Sequence, residues 1–378
     1  MKILYFCSEA EGGLATYAQF QSQALAQIAD VAWLAPDGLM PLDPMDRPAT
    51  IPIQPMRGRG LFARATRFAH SMFDPLLLLD KTIRQVRPDW VLLSSWSEYF
   101  APLWAWRFRR WRKRGVRFAA VIHDPIRDFV RGPLWWHRWS VREAYSFLDV
   151  AFVHEKIELD TAGLARKIPT VVIPHGPYLV PAGTASSAEL RRKFDILESA
   201  YLLLSFGHIR NGKNLNLLIE AMAAYPDVWL LVAGREQSAG QRPVAWYQKL
   251  AKDLGVADRC RWKTGFIPEC DVWEFFTVAD AVALTYSRDF RSASGVLNVN
   301  AQFRKPVLAS SGPGPLKTAV GQYQLGEWVS PDSAEALKQG VARLMAIRPD
   351  ARWSEYLANH SWEENAKRVL CALCANLK

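Results

Sequence analysis

A chain of 378 residues is too long for one ordinary hydrophobic core and fits two domains of roughly 150–200 residues. Half of it is hydrophobic and 22% charged, which excludes a disordered or fibrous chain, and no apolar run reaches the ~18 residues needed to span a bilayer. The formal net charge of +10 favours an anionic partner: phosphates of a small ligand, an acidic membrane surface or nucleic acid.

Taken in chain order, Lys2–Ser8 reads as a buried first strand rather than a signal peptide, since it runs straight into Ser8-Glu9. Glu11-Gly-Gly-Leu-Ala follows, then an amphipathic helix over 16–28 and a strand over 31–35. Short apolar runs at 91–95, 118–123, 150–154 and 171–174 alternate with helical stretches, which predicts a parallel sheet covered on both faces. Gly183-Thr-Ala-Ser-Ser187 is a small, polar stretch suited to a hinge. The alternation then restarts. Strands are expected at 201–206, 229–233, 261–263, 281–285 and 307–309, and helices at 214–224, 246–254, 272–278 and 296–303. The end, 353–378, reads as helical. Five irregularly spaced cysteines suit a reducing compartment, and Cys371 and Cys374 read as core or half-buried residues of the last helix.

Two segments carry the chemistry. Phe206-Gly-His-Ile-Arg-Asn-Gly-Lys-Asn214 lies between a strand and a helix, and Arg210 and Lys213 suit phosphate oxygens. Two solvated charges at a helix start are the alternative, although the helix dipole disfavours cations there. Ser292-Ala-Ser-Gly-Val-Leu-Asn-Val-Asn300, followed by Lys305-Pro-Val-Leu-Ala-Ser310, places Ser294-Gly295 before a helix whose N–H groups can meet a phosphate. A plain helix cap explains Ser-Gly equally well.

In order and spacing these segments resemble the donor site of glycosyltransferase family 4, in the subgroup that has Ser-Gly where others begin with Glu. The resemblance implies an α/β chain with the GT-B fold: two Rossmann-like, doubly wound domains facing across a cleft, the C-terminal helix crossing back to the first. The domains expected are 1–180 with 360–378, for the acceptor, and 181–359, for the donor.

It also implies a retaining transfer of sugar from a nucleoside-diphosphate sugar to a glycan or lipid-linked saccharide, without cofactor or essential metal. His123, Arg210 and Lys213 are then the catalytic candidates. Gly12, Gly13, Phe266, Ile267, Ser292, Ser294, Gly295, Val296, Leu297 and Asn300 are the donor-binding candidates. Asp124 and His175 are further cleft candidates. Ser292 and Asn300 stand where the family usually has Glu, so Asn300 is expected to meet the ribose without charge. The missing carboxylates also leave open a non-catalytic, nucleotide-sugar-binding partner subunit. A nucleotide-sugar epimerase is a third reading, less suited because it needs several acid/base carboxylates.

Residues 107–117 hold seven basic side chains and no acid, interleaved with Trp104, Trp106, Phe108 and Trp111. Arg57, Arg59, Arg64 and Arg67 with Phe62 and Phe68 form a second cluster, and Arg131, Trp135, Trp136, Arg138 and Trp139 a third. Segments 57–68 and 104–117 suggest a cytoplasmic protein docking peripherally on an anionic membrane, rather than one binding nucleic acid. An ordinary solvated helix face is the alternative.

Overall fold

The structure, a computed structural model, describes residues 1–39, 47–52, 61–125, 130, 132–236, 240–346 and 350–376, with only the backbone at 61–69 and 71. The chain forms two compact units, Met1–Gly176 with His360–Lys378, and Pro177–Asn359. The first division falls after Gly176, where the expected one was 180.

The first unit runs β1 (Lys2–Cys7), α1 (Gly13–Ala26), β2 (Asp30–Pro36), β3 (Ala49–Ile51), α2 (Leu61–Val86), β4 (Trp90–Ser95), α3 (Ala101–Lys113), β5 (Arg117–Val121), α4 (Leu134–Tyr145), β6 (Val150–Val153) and β7 (Thr170–Val172). Its strands pair in parallel in the order β3-β2-β1-β4-β5-β6-β7. Helices cover such a sheet on both sides, so β1, β4, β5 and β6 are buried nearly throughout and read as unbroken apolar runs. In α3, Ala101, Trp104, Ala105 and Phe108 recur at helical spacing and turn inward. Trp104 and Phe108 join Phe118 and Phe147 in one aromatic cluster. Two of the four aromatics of segment 104–117 therefore belong to the core.

The second unit runs α5 (Ser187–Lys193), β8 (Tyr201–Phe206), α6 (Leu215–Met222), β9 (Val228–Gly234), α7 (Val244–Asp253), β10 (Cys260–Thr264), α8 (Glu269–Val278), β11 (Ala281–Thr285), α9 (Gly295–Phe303), β12 (Val307–Ser310), α10 (Pro315–Tyr323), β13 (Gly326–Trp328), α11 (Ala334–Ala346) and α12 (Trp353–Asn359). The sheet order is β10-β9-β8-β11-β12-β13, again parallel. In each unit the order reverses beside the first strand, between β1 and β4 and between β8 and β11. Ligands of open α/β sheets bind outside the carboxyl ends of strands at such a point.

The expected helix over 353–378 is two helices. Ser361 caps the second, α13 (Trp362–Ala375), by accepting from the Glu364 N–H at 3.1 Å. The inward face of α13 carries Trp362, Asn365, Ala366, Val369 and Leu373, and it packs on α1 and β7 of the first unit. Trp362 stacks on Phe20 and stands edge-on to Tyr17. It also fills the space a Cβ would need at Gly176, so the chain passes there only as glycine. Asn365 is fully buried. It donates to the Tyr17 hydroxyl at 3.0 Å and the Pro174 carbonyl at 2.6 Å, and accepts from Gln21 at 2.8 Å.

All five cysteines are free thiols, and Cys371 and Cys374 are exposed, not half-buried as expected, because they fall on the outer side of α13. Among the described residues no helix is long and apolar enough to cross a membrane, and no cluster of His, Cys, Asp and Glu has the arrangement of a metal site.

Candidate functional site

In the second unit the loop after β8 lies at the switch point and is tied to both neighbouring strands. Gly207 donates to Ala233 and Ile209 to Arg235, at the end of β9. Thr285, at the end of β11, donates its hydroxyl to the Lys213 carbonyl at 2.8 Å, and Ser287 donates to Gly212. Gly207 has a φ of 87°, and a Cβ there would lie 3.3 Å from the Lys213 ammonium nitrogen. The loop ends at Asn214 in the left-handed region, whose amide donates to Asp332 at 2.9 Å.

This bracing directs Lys213 inward, where its ammonium donates to the Phe206 carbonyl and faces the Tyr286 ring. The residue is partly exposed, yet desolvation of the ammonium, with the Arg210 charge adding to it, lowers its pKa to about 7. His208 is likewise pushed down, first by burial and then by Lys213, Arg235 and Arg210. Every charge acting on it is positive. Such a loop attracts an anion, and an anion would return the Lys213 proton.

The start of α9 adjoins this loop, since the Cβ position at Gly207 is 3.7 Å from a Val296 methyl. Ser294 caps α9 by accepting from the Leu297 N–H at 3.3 Å, and its hydroxyl pairs with Tyr286 at 3.1 Å. The Gly295 and Val296 N–H groups therefore have no partner within the helix, as at any helix start. Gly295 is exposed and has only Tyr178 near its Cβ position, at 3.5 Å.

Several expected contacts need correction. Ser294 is buried and spends its side chain on the cap. Leu297 is a core residue, so only its backbone borders the site. Asn300 is fully buried on the inner face of α9, where its amide donates to the Lys305 carbonyl at 2.7 Å. It braces the helix end and offers no surface to a ribose. Ser292 is half-buried in the preceding loop, and Ile267 packs on the core. Phe266, between β10 and α8, is 69% exposed.

In the first unit the switch point carries a crevice of about 300 Å³, lined by Glu9, Ser94, Ser95, Trp96, His123 and Asp124 among others. Gly12 and Gly13 are exposed beside it in sequence, with Gly12 at φ 87° as the cap of α1. Burial raises the Glu9 pKa. Behind the crevice His123, His154 and His175 surround Tyr17, at ring-centroid distances of 4.6, 5.4 and 4.9 Å.

Burial first, and neighbouring histidine charge second, lower His123 to about 3. His154 falls to about 4, again mainly by burial. His175 is pushed well below its usual value, and its Nδ1 donates to the Gly176 carbonyl at 2.8 Å. It is buried, and this bond holds the turn at the end of the unit. His123 is neutral at pH 7 and can hydrogen-bond but not carry charge. Its Nε2 is buried without a partner.

Sequence reading missed Arg235 and Glu9. Glu9 follows β1, a strand of the first switch point, and Arg235 follows β9, the neighbour of β8, a signal available once the strand order is known.

Residues 186–369 match the family model described as Glycosyl transferases group 1. The chain carries a glycosyl transferases group 1 domain. Within and around that domain it is similar to D-inositol 3-phosphate glycosyltransferases. The one from Mycobacteroides abscessus is 27% identical over 191 residues, 48% of this chain and 41% of the relative. The one from Geodermatophilus obscurus is 28% identical over 222 residues, 54% and 47% respectively. The chain thus spans less than half the length of these curated relatives.

The group 1 domain and its companion unit together are similar to Anabaena Alr3699/HepE, solved in complex with UDP. The TM-score is 0.71 at 14% identity, over 99% of this chain and 100% of that one. Sucrose-phosphate synthase from Thermosynechococcus elongatus gives a TM-score of 0.68 at 17% identity, over 99% of each chain. At such identities the likeness shows the fold: α/β, of the two-sheet GT-B type with a C-terminal helix.

Proposed function

We propose that the chain transfers a sugar from a nucleoside-diphosphate donor to a saccharide or lipid-linked acceptor, with retention and without an essential metal. The observation that carries this is the braced loop holding Arg210 and Lys213 beside the start of α9, at the switch point of a group 1 domain. The leaving diphosphate develops charge as the glycosidic bond breaks, and preorganised cations and N–H groups stabilise it. Lys213, near pKa 7, becomes fully protonated as the anion arrives, and Arg210 supplies a fixed charge. The Gly295 and Val296 N–H groups meet phosphate oxygens, and exposed Phe266 offers its loop to the base. In retention the acceptor attacks on the face the diphosphate leaves, and a donor phosphate oxygen takes the proton.

The first unit's crevice is assigned to the acceptor. Glu9 and Asp124 there accept from hydroxyl groups, and His123 adds a neutral hydrogen bond. Peripheral docking of this unit on the inner, acidic face of a membrane belongs to the same reading. Leu103 and Trp106 of α3 and Trp135 and Trp139 of α4 are exposed, as are Arg110, Lys113, Arg138 and Arg142. Arg109 and Arg112, by contrast, are taken up by Glu143 and Asp149. Arg57, Arg59 and Arg131 lie outside the described residues, as do the side chains of Phe62, Arg64, Arg67 and Phe68.

Buried Asn300 and the capping role of Ser294 favour a second reading, a subunit that binds the donor without turning it over. A panel of nucleoside-diphosphate sugars, followed by thermal shift and by sugar release, separates the two. Stabilisation with release or transfer supports the enzyme, and stabilisation without either supports the binding subunit. No stabilisation by any donor or diphosphate overturns both.

A further inference from the structure

A second cavity, of about 240 Å³, lies between α2 and α3, lined by Asp80, Arg84, Trp106, Arg107, Arg110, Trp111 and Arg114. Chain direction places it away from the crevice. α3 leaves the carboxyl end of β4 and delivers the chain to the amino end of β5, so Arg107–Arg114 lie toward the amino ends of the strands. Arg84 likewise shortly precedes β4. Substrates of open α/β sheets bind at the opposite edge.

The cavity is organised by one carboxylate and two indoles. Asp80 is buried. It accepts from the Trp111 indole at 2.7 Å and from Arg84 at 2.9 Å, with Arg107 at 4.0 Å. The Arg107 and Arg110 guanidiniums sit 4.8 and 5.6 Å from the Trp106 ring, and those of Arg114 and Arg84 sit 5.2 and 5.9 Å from Trp111. Stacking fixes the plane of a guanidinium and leaves its N–H edges for an acceptor. Four guanidiniums and one carboxylate leave a formal excess of three positive charges around one cavity.

Cations at the ends of α2 and α3 also complement the helix dipoles, but that effect is confined to the last turn and is met by one or two charges. It does not explain four arginines ranged over two indoles. The volume is below the ~300 Å³ at which pockets for whole nucleotide-sized ligands begin.

We propose that this cavity binds the phosphate group of a small phosphate ester, as a lipid headgroup or as a free metabolite. Arginine forks match phosphate oxygens, and the indoles border the attached carbon chain. The site is independent of the proposed transfer and stands whether or not the chain proves catalytic.

The test uses the full chain, with glycerol 3-phosphate titrated by calorimetry against glycerol. In parallel, cosedimentation uses phosphatidylcholine vesicles with and without phosphatidic acid. Arg110→Gln/Arg114→Gln removes two exposed arginines, and Lys252→Gln/Lys367→Gln removes the same charge from exposed sites elsewhere. The expected result is binding that weakens about tenfold or more in the arginine pair, as loss of ~1.4 kcal/mol requires, and stays unchanged in the lysine pair. Response to glycerol 3-phosphate alone identifies a free ester, and response to the acidic vesicles alone a headgroup. No response to either, or equal loss in both variants, overturns the proposal. So does binding that survives intact in the arginine pair, which would place the anion outside this cavity.

Discussion

The two switch points have the same strand order and opposite chemistry. At the first, His123, His154 and His175 are held neutral by burial around Tyr17. At the second, Arg210, Lys213 and Arg235 crowd one braced loop, where burial pushes His208 down and their charges add to it. The backbone architecture provides a place for a ligand in each, and the loop residues decide what the place can hold. The crevice, with the Glu9 and Asp124 carboxyls beside neutral His123, suits hydroxyl groups, and the cationic loop suits phosphates.

The largest expected effect breaks the cationic side. Arg210→Ala and Lys213→Ala should each lower transfer or donor hydrolysis by about 10²–10³-fold, the scale of losing one preorganised charge-stabilising group, with the unfolding temperature nearly unchanged. If His123→Ala costs more than either, the contrast between the two points is misplaced.

Asn365→Ala tests the neutral side. It strands donors or acceptors on Gln21, Tyr17 and Pro174, and should cost about 1–3 kcal/mol in urea unfolding. A change within 0.5 kcal/mol, the ordinary surface range, would show that α13 is only laid against the unit.

Proton linkage separates the two points by pH. His123 and His154 bind their protons near 3 and 4 when folded but near 6.5 when unfolded. Their contribution is therefore present above 6.5 and lost as pH falls through 4 toward 3. Lys213 titrates near 7 when folded and near 10.5 when unfolded, so stability of the unliganded chain rises with pH between those values. A bound diphosphate favours the ammonium. Binding should then take up a proton and weaken by up to about tenfold per pH unit above 7. Calorimetry in buffers of different ionisation enthalpy reads this directly, and zero proton uptake at pH 8 would remove Lys213 from the anion site.

The smallest effect sharpens the role of α9. Gly295→Ala should leave stability within about 0.5 kcal/mol, because its Cβ meets only Tyr178 at ordinary contact distance. Donor affinity should still fall about tenfold if phosphate approaches that backbone, and unchanged affinity would place the diphosphate elsewhere.

The sheet strands were legible because buried parallel strands must be apolar throughout, and β8 and β11 appear with the bounds read from composition. The Arg210–Lys213 loop was legible because strand, loop and helix are contiguous in sequence. Asn300 was not, since only the register of α9 shows that position 300 turns inward to the Lys305 carbonyl. Arg235 and Glu9 depend on which strands become neighbours. Trp104 and Trp106 look alike in a basic run, yet a two-residue step on a helix separates core from surface.

The return of α13 has a consequence for biosynthesis. A ribosome moves from the amino end, so residues 177–359 emerge before Trp362 and Asn365 exist. The second unit can close while the first still lacks its last buried layer, with Gln21, Tyr17 and the Pro174 carbonyl waiting on a residue 344, 348 and 191 positions downstream. The earlier-made half is thus the later-finished one. Nascent chains stalled before residue 360 should expose the first unit to protease while the second resists.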